Sequence, residues 1–272
     1  MDDFSAANLA NWEDRARLHA TDPTGTYRID HVANGGDSLH AIEAGEIGDI
    51  DGRRLVHLQC HIGTDTVSLA NRGATVTGLD FSGEALAAAR DLAKRAGRQV
   101  RFVQSDVYEA PSALGESYEI AYVTWGAINW LPDIRSWAQV VADVLEPGGV
   151  LYLCETHPAA LCLEEIDGRI VAHYDWRSSC DRPIVMDAPT TYTGDARPLT
   201  HTRTYEWIHP LSAVLGGLEE AGLTVEWLHE HELLPFRLFP MMEPTGSPGL
   251  FRLPPGQPRL ALAFSLRATK RR

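Results

Sequence analysis

Positive charge is what this chain is short of. Its 24 lysines and arginines face 37 aspartates and glutamates, leaving −13 at pH 7. DNA and RNA phosphates demand a basic face, and an anionic membrane surface makes a similar demand, so no nucleic-acid or membrane partner is expected. The terminal Lys270-Arg271-Arg272 reads as a solvated end rather than a binding patch. Cysteine is scarce too: Cys60, Cys154, Cys162 and Cys180 show no CxxC pairing. That disfavours a disulfide framework or a zinc knot, so no metal is expected and a reducing cytoplasm is the simplest compartment. No apolar run approaches membrane-spanning length, and Met1-Asp-Asp-Phe lacks a signal pattern. Internal repeats and low-complexity tracts are absent as well. What remains is 272 residues, 44% hydrophobic, enough for one large domain or a domain with a small insertion.

The most informative stretch is Arg54 to Asp80. Leu55, Val56 and Leu58 form a short apolar run fit for a buried strand. Gln59 to Gly63 are compact or turn-forming. Thr64 to Arg72 read as a short helix stopped by Gly73 in the left-handed conformation glycine adopts cheaply. A second strand, Ala74 to Leu79, ends on Asp80. Strand, tight turn, helix and acid-tipped strand make the front half of a nucleotide-binding α/β unit, in which Asp80 can accept both hydroxyls of a ribose.

Ahead of this stretch, Ala6 to Ala20 carry Leu9, Trp12, Ala16 and His19 at helical spacing, and Asp22-Pro-Thr-Gly breaks the pattern. After it, Ser82 is a plausible N-cap, and Ala85, Leu86, Ala89, Leu92 and Ala93 form one apolar face. Strands follow at Val100–Gln104, Tyr118–Thr124 and Val150–Glu155, with a helix over Ile134–Leu145. This alternation predicts a parallel sheet with helices on both faces. From Thr156 to about Thr200 the period fails, over a length that suits a cap or a working loop. A helix closed by Gly222, a strand Thr224–Glu232 and a last strand Leu260–Leu266 suggest an antiparallel pair at the sheet edge.

With those elements in place the chain resembles the class I S-adenosylmethionine-dependent methyltransferases. Their first motif, apolar-x-Asp-x-Gly-x-Gly-x-Gly, aligns with His57 at the acid, Gln59 and His61 at two glycines, and Gly63 at the last. Gly78-Leu-Asp-Phe-Ser82 looks like the second motif, whose acid holds the ribose and whose next apolar residue covers the adenine. Gln104-Ser-Asp-Val107 looks like the third, where Asp106 faces the adenine amino group. Leu145-Glu-Pro-Gly-Gly-Val-Leu151 looks like the turn into strand five. More narrowly, Leu-Gln-Cys-His-x-Gly-x-Asp-Thr with Trp130-Leu-Pro-Asp resembles a bacterial branch of methyltransferases.

The resemblance implies a Rossmann-like α/β sheet of seven strands with an antiparallel terminal pair. It also implies an arm over 1–50, a methyltransferase domain over 51–272 and an inserted cap over 157–200. S-adenosylmethionine is the expected cofactor, held by Gln59, Cys60, His61, Gly63, Asp80, Phe81, Ser82, Asp106, Val107, Thr124 and Gly126. The expected reaction is in-line methyl displacement onto an O, N or C nucleophile of a small metabolite, leaving S-adenosylhomocysteine. His157, which follows strand five, and Glu155, at the end of that strand, are candidates for base and orienting group. Trp125, Trp130, Tyr174 and Trp176 are candidates for the acceptor wall. Bland readings stand beside these: Asp80 and Asp106 as caps, Cys60 as buried filler, His157 and Glu155 as satisfied strand-end polar groups, and His229-Glu-His231 as surface. An NAD-dependent enzyme is disfavoured, because Gln59 and His61 carry side chains where a pyrophosphate needs bare backbone. A protein methyltransferase or a non-catalytic binder of the same fold stays open, as does a homodimer.

Overall fold

Leu55, Val56 and Leu58 are fully buried, and the strand they define lies inside the main sheet. The computed structural model describes residues 2–247 and 249–272. Three helices come first: α1 (Asp3–His19), α2 (Ile29–Ala33) and α3 (Ala41–Glu46). An alternating run follows: β1 (Arg54–Leu58), α4 (Thr64–Asn71), β2 (Thr75–Asp80), α5 (Gly83–Arg95), β3 (Arg101–Gln104), α6 (Ala110–Leu114), β4 (Tyr118–Thr124), α7 (Ile134–Val144) and β5 (Leu145–Thr156). Beyond β5 lie α8 (Pro158–Leu161) and two hairpins, β6 (Leu163–Ile166) with β7 (Arg169–Ala172), and β8 (Ile184–Asp187) with β9 (Arg203–Glu206). The chain closes with α9 (Leu211–Glu220), β10 (Leu223–His231), the short pair β11 (Glu243–Pro244) and β12 (Phe251–Arg252), and β13 (Ala263–Lys270).

The main sheet has seven strands in the order β10-β13-β5-β4-β1-β2-β3. β3 to β5 run parallel through β2, β1 and β4, while β13 is antiparallel to both β5 and β10. The chain winds one way from β1 to β3 and the other way from β4 to β5. The gap outside the carboxyl ends of β1 and β4 is therefore the topological switch point, where open α/β sheets bind ligands. Among the described residues no helix is long and apolar enough to cross a membrane.

Local rules account for the helices that flank this gap. Ser82 Oγ accepts the Ala85 N–H to start α5, whose Ala85, Leu86, Ala89, Leu92 and Ala93 are buried. Asp133 accepts the N–H groups of Arg135 and Ser136 to start α7, and Trp137, Val141 and Val144 disappear into the largest core cluster. Trp137→Ala would cost about 3–5 kcal/mol there.

Three boundaries differ from the sequence expectation. β5 begins at Leu145, because Leu145 pairs with Tyr118 and a register shift before Ile120 absorbs the Pro-Gly-Gly turn. β13 runs later than Leu260–Leu266, because Leu260 and Leu262 instead join Phe239 and Met242 in a separate apolar cluster. Lys270 is a strand residue and not a solvated end: its Nζ donates to the carbonyls of Ala142 at 2.6 Å and Leu145 at 2.7 Å, where α7 finishes.

Candidate functional site

The turn after β1 keeps a glycine backbone without the glycines. Gln59, His61 and Gly63 have φ of 57°, 49° and 74°, so alternate residues sit in the left-handed region. These are the three positions aligned with motif glycines. The conformation costs an L-residue roughly 1–2 kcal/mol, and is kept where surrounding contacts or function impose it. At residue 63 no side chain fits, since a Cβ would stand 2.7 Å from that of Ala89. At 59 and 61 the side chains leave the turn towards the switch point.

Asp80 ties this turn to β2. Its Oδ2 accepts the His61 N–H at 2.8 Å and its Oδ1 the Ser82 N–H at 2.9 Å. Burial raises its pKa to about 6, against the pull of these N–H donors. Each oxygen retains a lone pair, so the carboxylate is positioned and still able to accept. Across the gap, Gln59 Nε2 donates to the Ala127 carbonyl at 2.8 Å. Asn129 Nδ2 likewise donates to Glu206 Oε2 at 3.0 Å, and Trp207 N–H to the Asn129 carbonyl at 2.7 Å. In both amides the N–H₂ must face its acceptor, which turns the carbonyl oxygen the other way. Gln59 Oε1 and Asn129 Oδ1 are buried without a partner among the described residues.

The arm helix α1 closes the near side. Glu13 accepts the N–H groups of Gly83 and Glu84 at the start of α5. His19 Nδ1 meets His61 Nε2 at 2.8 Å, and its Nε2 meets the Thr191 hydroxyl. Burial drives both imidazoles down, His61 to about 3 and His19 to about 2, with nearby Arg15 adding to each. Arg15 is buried, with Nε on Asn11 Oδ1 at 2.6 Å and its guanidinium 5.5 Å from the Trp12 ring and 5.6 Å from that of Tyr192. It forms no ion pair among the described residues. Burial also raises Glu206, against the Asn129 bond and Arg15. His61, Tyr27, Tyr192 and Glu206 are crowded enough for such shifts yet none is fully covered, and Tyr192 keeps 47% of its surface. His61, Tyr27 and Tyr192 gather around His19, and Glu206 is tied to the loop after β4 through Asn129, so these side chains border the gap outside β1 and β4.

Several expected residues take other roles. Glu155 is fully engaged by backbone, accepting from Gly126 and Ala127 N–H at 2.6 Å each and from Ile128 N–H at 3.0 Å. It holds the loop after β4 rather than orienting His157 or an amine substrate, the role expected of it. His157 Nδ1 accepts the Ala159 N–H to start α8, and its Nε2 lies 3.3 Å from Glu230 of β10. It faces the β10–β13 edge and not the switch point, so the general-base expectation is not supported. Trp125 turns its Nε1 to Glu43 Oε1 of α3 at 3.0 Å. Trp176 is 64% exposed, and the Tyr174 hydroxyl reaches Met186, so neither joins the chamber. Trp130 does, 5.2 Å from Trp12.

Cys60 packs its Sγ towards Gly78, where a Cβ would come within 2.9 Å, and burial pushes its thiol pKa up. It fills space, and only its backbone belongs to the turn. The Ser82 hydroxyl is spent on capping α5. Thr124 is buried at the end of β4. Asp106 accepts the Tyr108 N–H with Oδ1 just past the end of β3, before buried Val107, and half-buried Phe81 follows the end of β2. Gly126 has φ of 86° and gives its N–H to Glu155. His229 bonds to Glu46 at 2.8 Å, and no metal-holding group of three or more His, Cys, Asp or Glu occurs among the described residues. Asn11, Arg15, Tyr27, Asn129 and Glu206 were not anticipated. A polar stripe at 8, 11, 15 and 19 on one helix face was the available signal for the arm.

Residues 56–149 match the methyltransferase-domain family. Over 105 residues the chain is 32% identical to the ubiquinone biosynthesis O-methyltransferase of Cronobacter sakazakii, covering 39% of this chain and 43% of that one. The chain thus spans under half the length of this curated relative. Among solved structures it is similar to a putative S-adenosylmethionine-dependent methyltransferase from Listeria monocytogenes, with TM-score 0.57, 15% identity, and coverage of 84% and 96%. A methyltransferase from Methanosarcina mazei gives TM-score 0.58 and 18% identity over 86% of this chain and 98% of that one. Residues 56–149 are thus similar to a methyltransferase domain, and the fold is that seen in S-adenosylmethionine-dependent methyltransferases of known structure.

Proposed function

We propose that the protein is an S-adenosylmethionine-dependent methyltransferase acting on a small molecule. The observation that carries this reading is the two buried, unpartnered amide oxygens, Gln59 Oε1 and Asn129 Oδ1, on the turn after β1 and the loop after β4, together with buried Arg15 of α1, which has no ion pair among the described residues. Two acceptors suit an ammonium and a guanidinium suits a carboxylate, which together match the amino-acid end of the methyl donor. Asp80 would hold the ribose hydroxyls and Asp106 the adenine amino group. When bound, the sulfonium supplies an electrophilic methyl group. The chain's part is chiefly orientation, a contribution on the order of 7–11 kcal/mol where the geometry is right. Glu206, raised by burial, faces the same chamber and suits proton uptake from an acceptor O–H or N–H.

The segment 157–200, extended by β9, serves in this reading as a cap, and 1–50 as an arm over the donor. Asn8 and Asn11 of α1 bond to the carbonyls of Tyr205 and His201, so arm and cap meet above the turn. A roofed chamber with Trp12, Trp130 and Tyr192 on its walls favours a small acceptor over a protein side chain. Calorimetry with S-adenosylmethionine, S-adenosylhomocysteine and NAD tests the reading. Binding of the first two is expected, and binding of NAD alone would overturn it.

A further inference from the structure

The peptide unit joining Ala127 to Ile128 is held from both sides. Its N–H goes to Glu155 Oε1 at 3.0 Å, and its carbonyl takes the Gln59 Nε2 hydrogen at 2.8 Å. Two further N–H groups, of Gly126 and Ala127, converge on the same carboxylate at 2.6 Å. Glu155 is 2% exposed, so water does not compete for it. A peptide that donates to an anion has a more polarised carbonyl, which strengthens the bond it accepts. That carbonyl offers Gln59 only a lone pair, so the Gln59 amide has a single satisfied orientation, with Oε1 turned into the chamber.

Resting on the donor reading above, we propose that Glu155 is a positioning residue for the donor's ammonium, acting through the Ala127–Ile128 peptide to set the Gln59 amide. The carboxylate never touches the donor. It fixes the plane and polarity of one peptide, and the peptide fixes which end of Gln59 faces the ligand. Three convergent N–H groups need two acceptor oxygens, so a carboxamide at 155 leaves one donor facing an N–H₂ group. The loop then tilts, and Gln59 loses its reason to present oxygen.

Two ligands separate this role from a merely structural one. S-adenosylhomocysteine carries the amino-acid end, and 5′-methylthioadenosine lacks it. By calorimetry, Glu155→Gln is expected to weaken S-adenosylhomocysteine about tenfold or more and to leave 5′-methylthioadenosine within about twofold. Gln59→Met should show the same split, and the double variant should bind S-adenosylhomocysteine no worse than the weaker single, because both changes break one relay. If Glu155→Gln fails to fold, Glu155→Asp carries the comparison with the charge kept and the reach shortened. Equal losses for both ligands, or additive losses in the double variant, overturn the relay while leaving the methyltransferase reading standing. Failure of the parent to bind either ligand overturns both.

Discussion

Gln59 sits in left-handed backbone, buries an unpartnered oxygen and makes one side-chain hydrogen bond. Each of the first two costs stability, about 1–2 kcal/mol for the backbone and about 1–3 kcal/mol for the lone acceptor. The bond returns only about 0.5–1.5 kcal/mol, and extra chain entropy makes glycine less favourable by about 0.5–1 kcal/mol. Gln59→Gly is therefore expected to raise stability by about 1 kcal/mol in urea denaturation while weakening S-adenosylhomocysteine at least tenfold. A variant that is both less stable and unimpaired in binding would show that Gln59 is there for the turn. Asp80 adds a pH dependence. Its carboxyl titrates near 6 in the free protein, and only the ionised form accepts two ribose hydroxyls. Donor affinity should thus fall as pH drops through 6, and calorimetry at pH 7.5 and 5.0 should find Asp80→Asn weak but nearly flat over that range.

At the scale of elements, α1 is joined to the turn by two neutral imidazoles. His19 and His61 stay unprotonated down to about 2 and 3 when folded, but take up protons near 6.5 when unfolded. Below pH 6.5 the unfolded chain therefore binds more protons, and stability falls with acidification by up to about 1.4 kcal/mol per pH unit for each histidine. Urea titrations at pH 7.5 and 5.5 should give the parent a steeper loss than a His19→Gln, His61→Gln double variant, and parallel losses would reject the coupling. Much of the sheet was legible because its strands and helices obey period 2 and period 3.6 with ordinary caps. The turn's conformation was not, since nothing in Gln59 or His61 announces positive φ. The arm was half legible: Leu9, Trp12, Ala16 and His19 mark a helix, but the face it buries is Asn8, Asn11, Arg15, Ala16 and His19. Hydropathy points such a face at solvent. Glu155 and His157 misled for a related reason, because a strand end locates a residue but not the backbone groups that satisfy it.

For the whole molecule, the site is assembled from parts distant in sequence. Asp14 accepts from the N–H groups of Thr200 and His201, Asn8 accepts from Tyr205, and Arg197 reaches the Leu18 carbonyl and the Thr21 hydroxyl. Phe4 packs on Tyr205 and Trp207 in the same seam. These contacts make the first helix and the end of the insert one roof, resting on the turn through His19, Tyr27, Tyr192 and Thr191. Most bonds in the roof are single polar contacts at partly exposed positions, so it should open at lower free energy than the sheet beneath. A donor that engages Arg15 from below while Asp80 and Gln59 hold it to the sheet would bridge the two layers. Hydrogen exchange with and without S-adenosylhomocysteine should then show joint protection of 3–20 and 189–207 along with 57–64. Protection confined to the turn and β2, with both roof segments unchanged, would mean that arm and insert pack together without closing on the ligand.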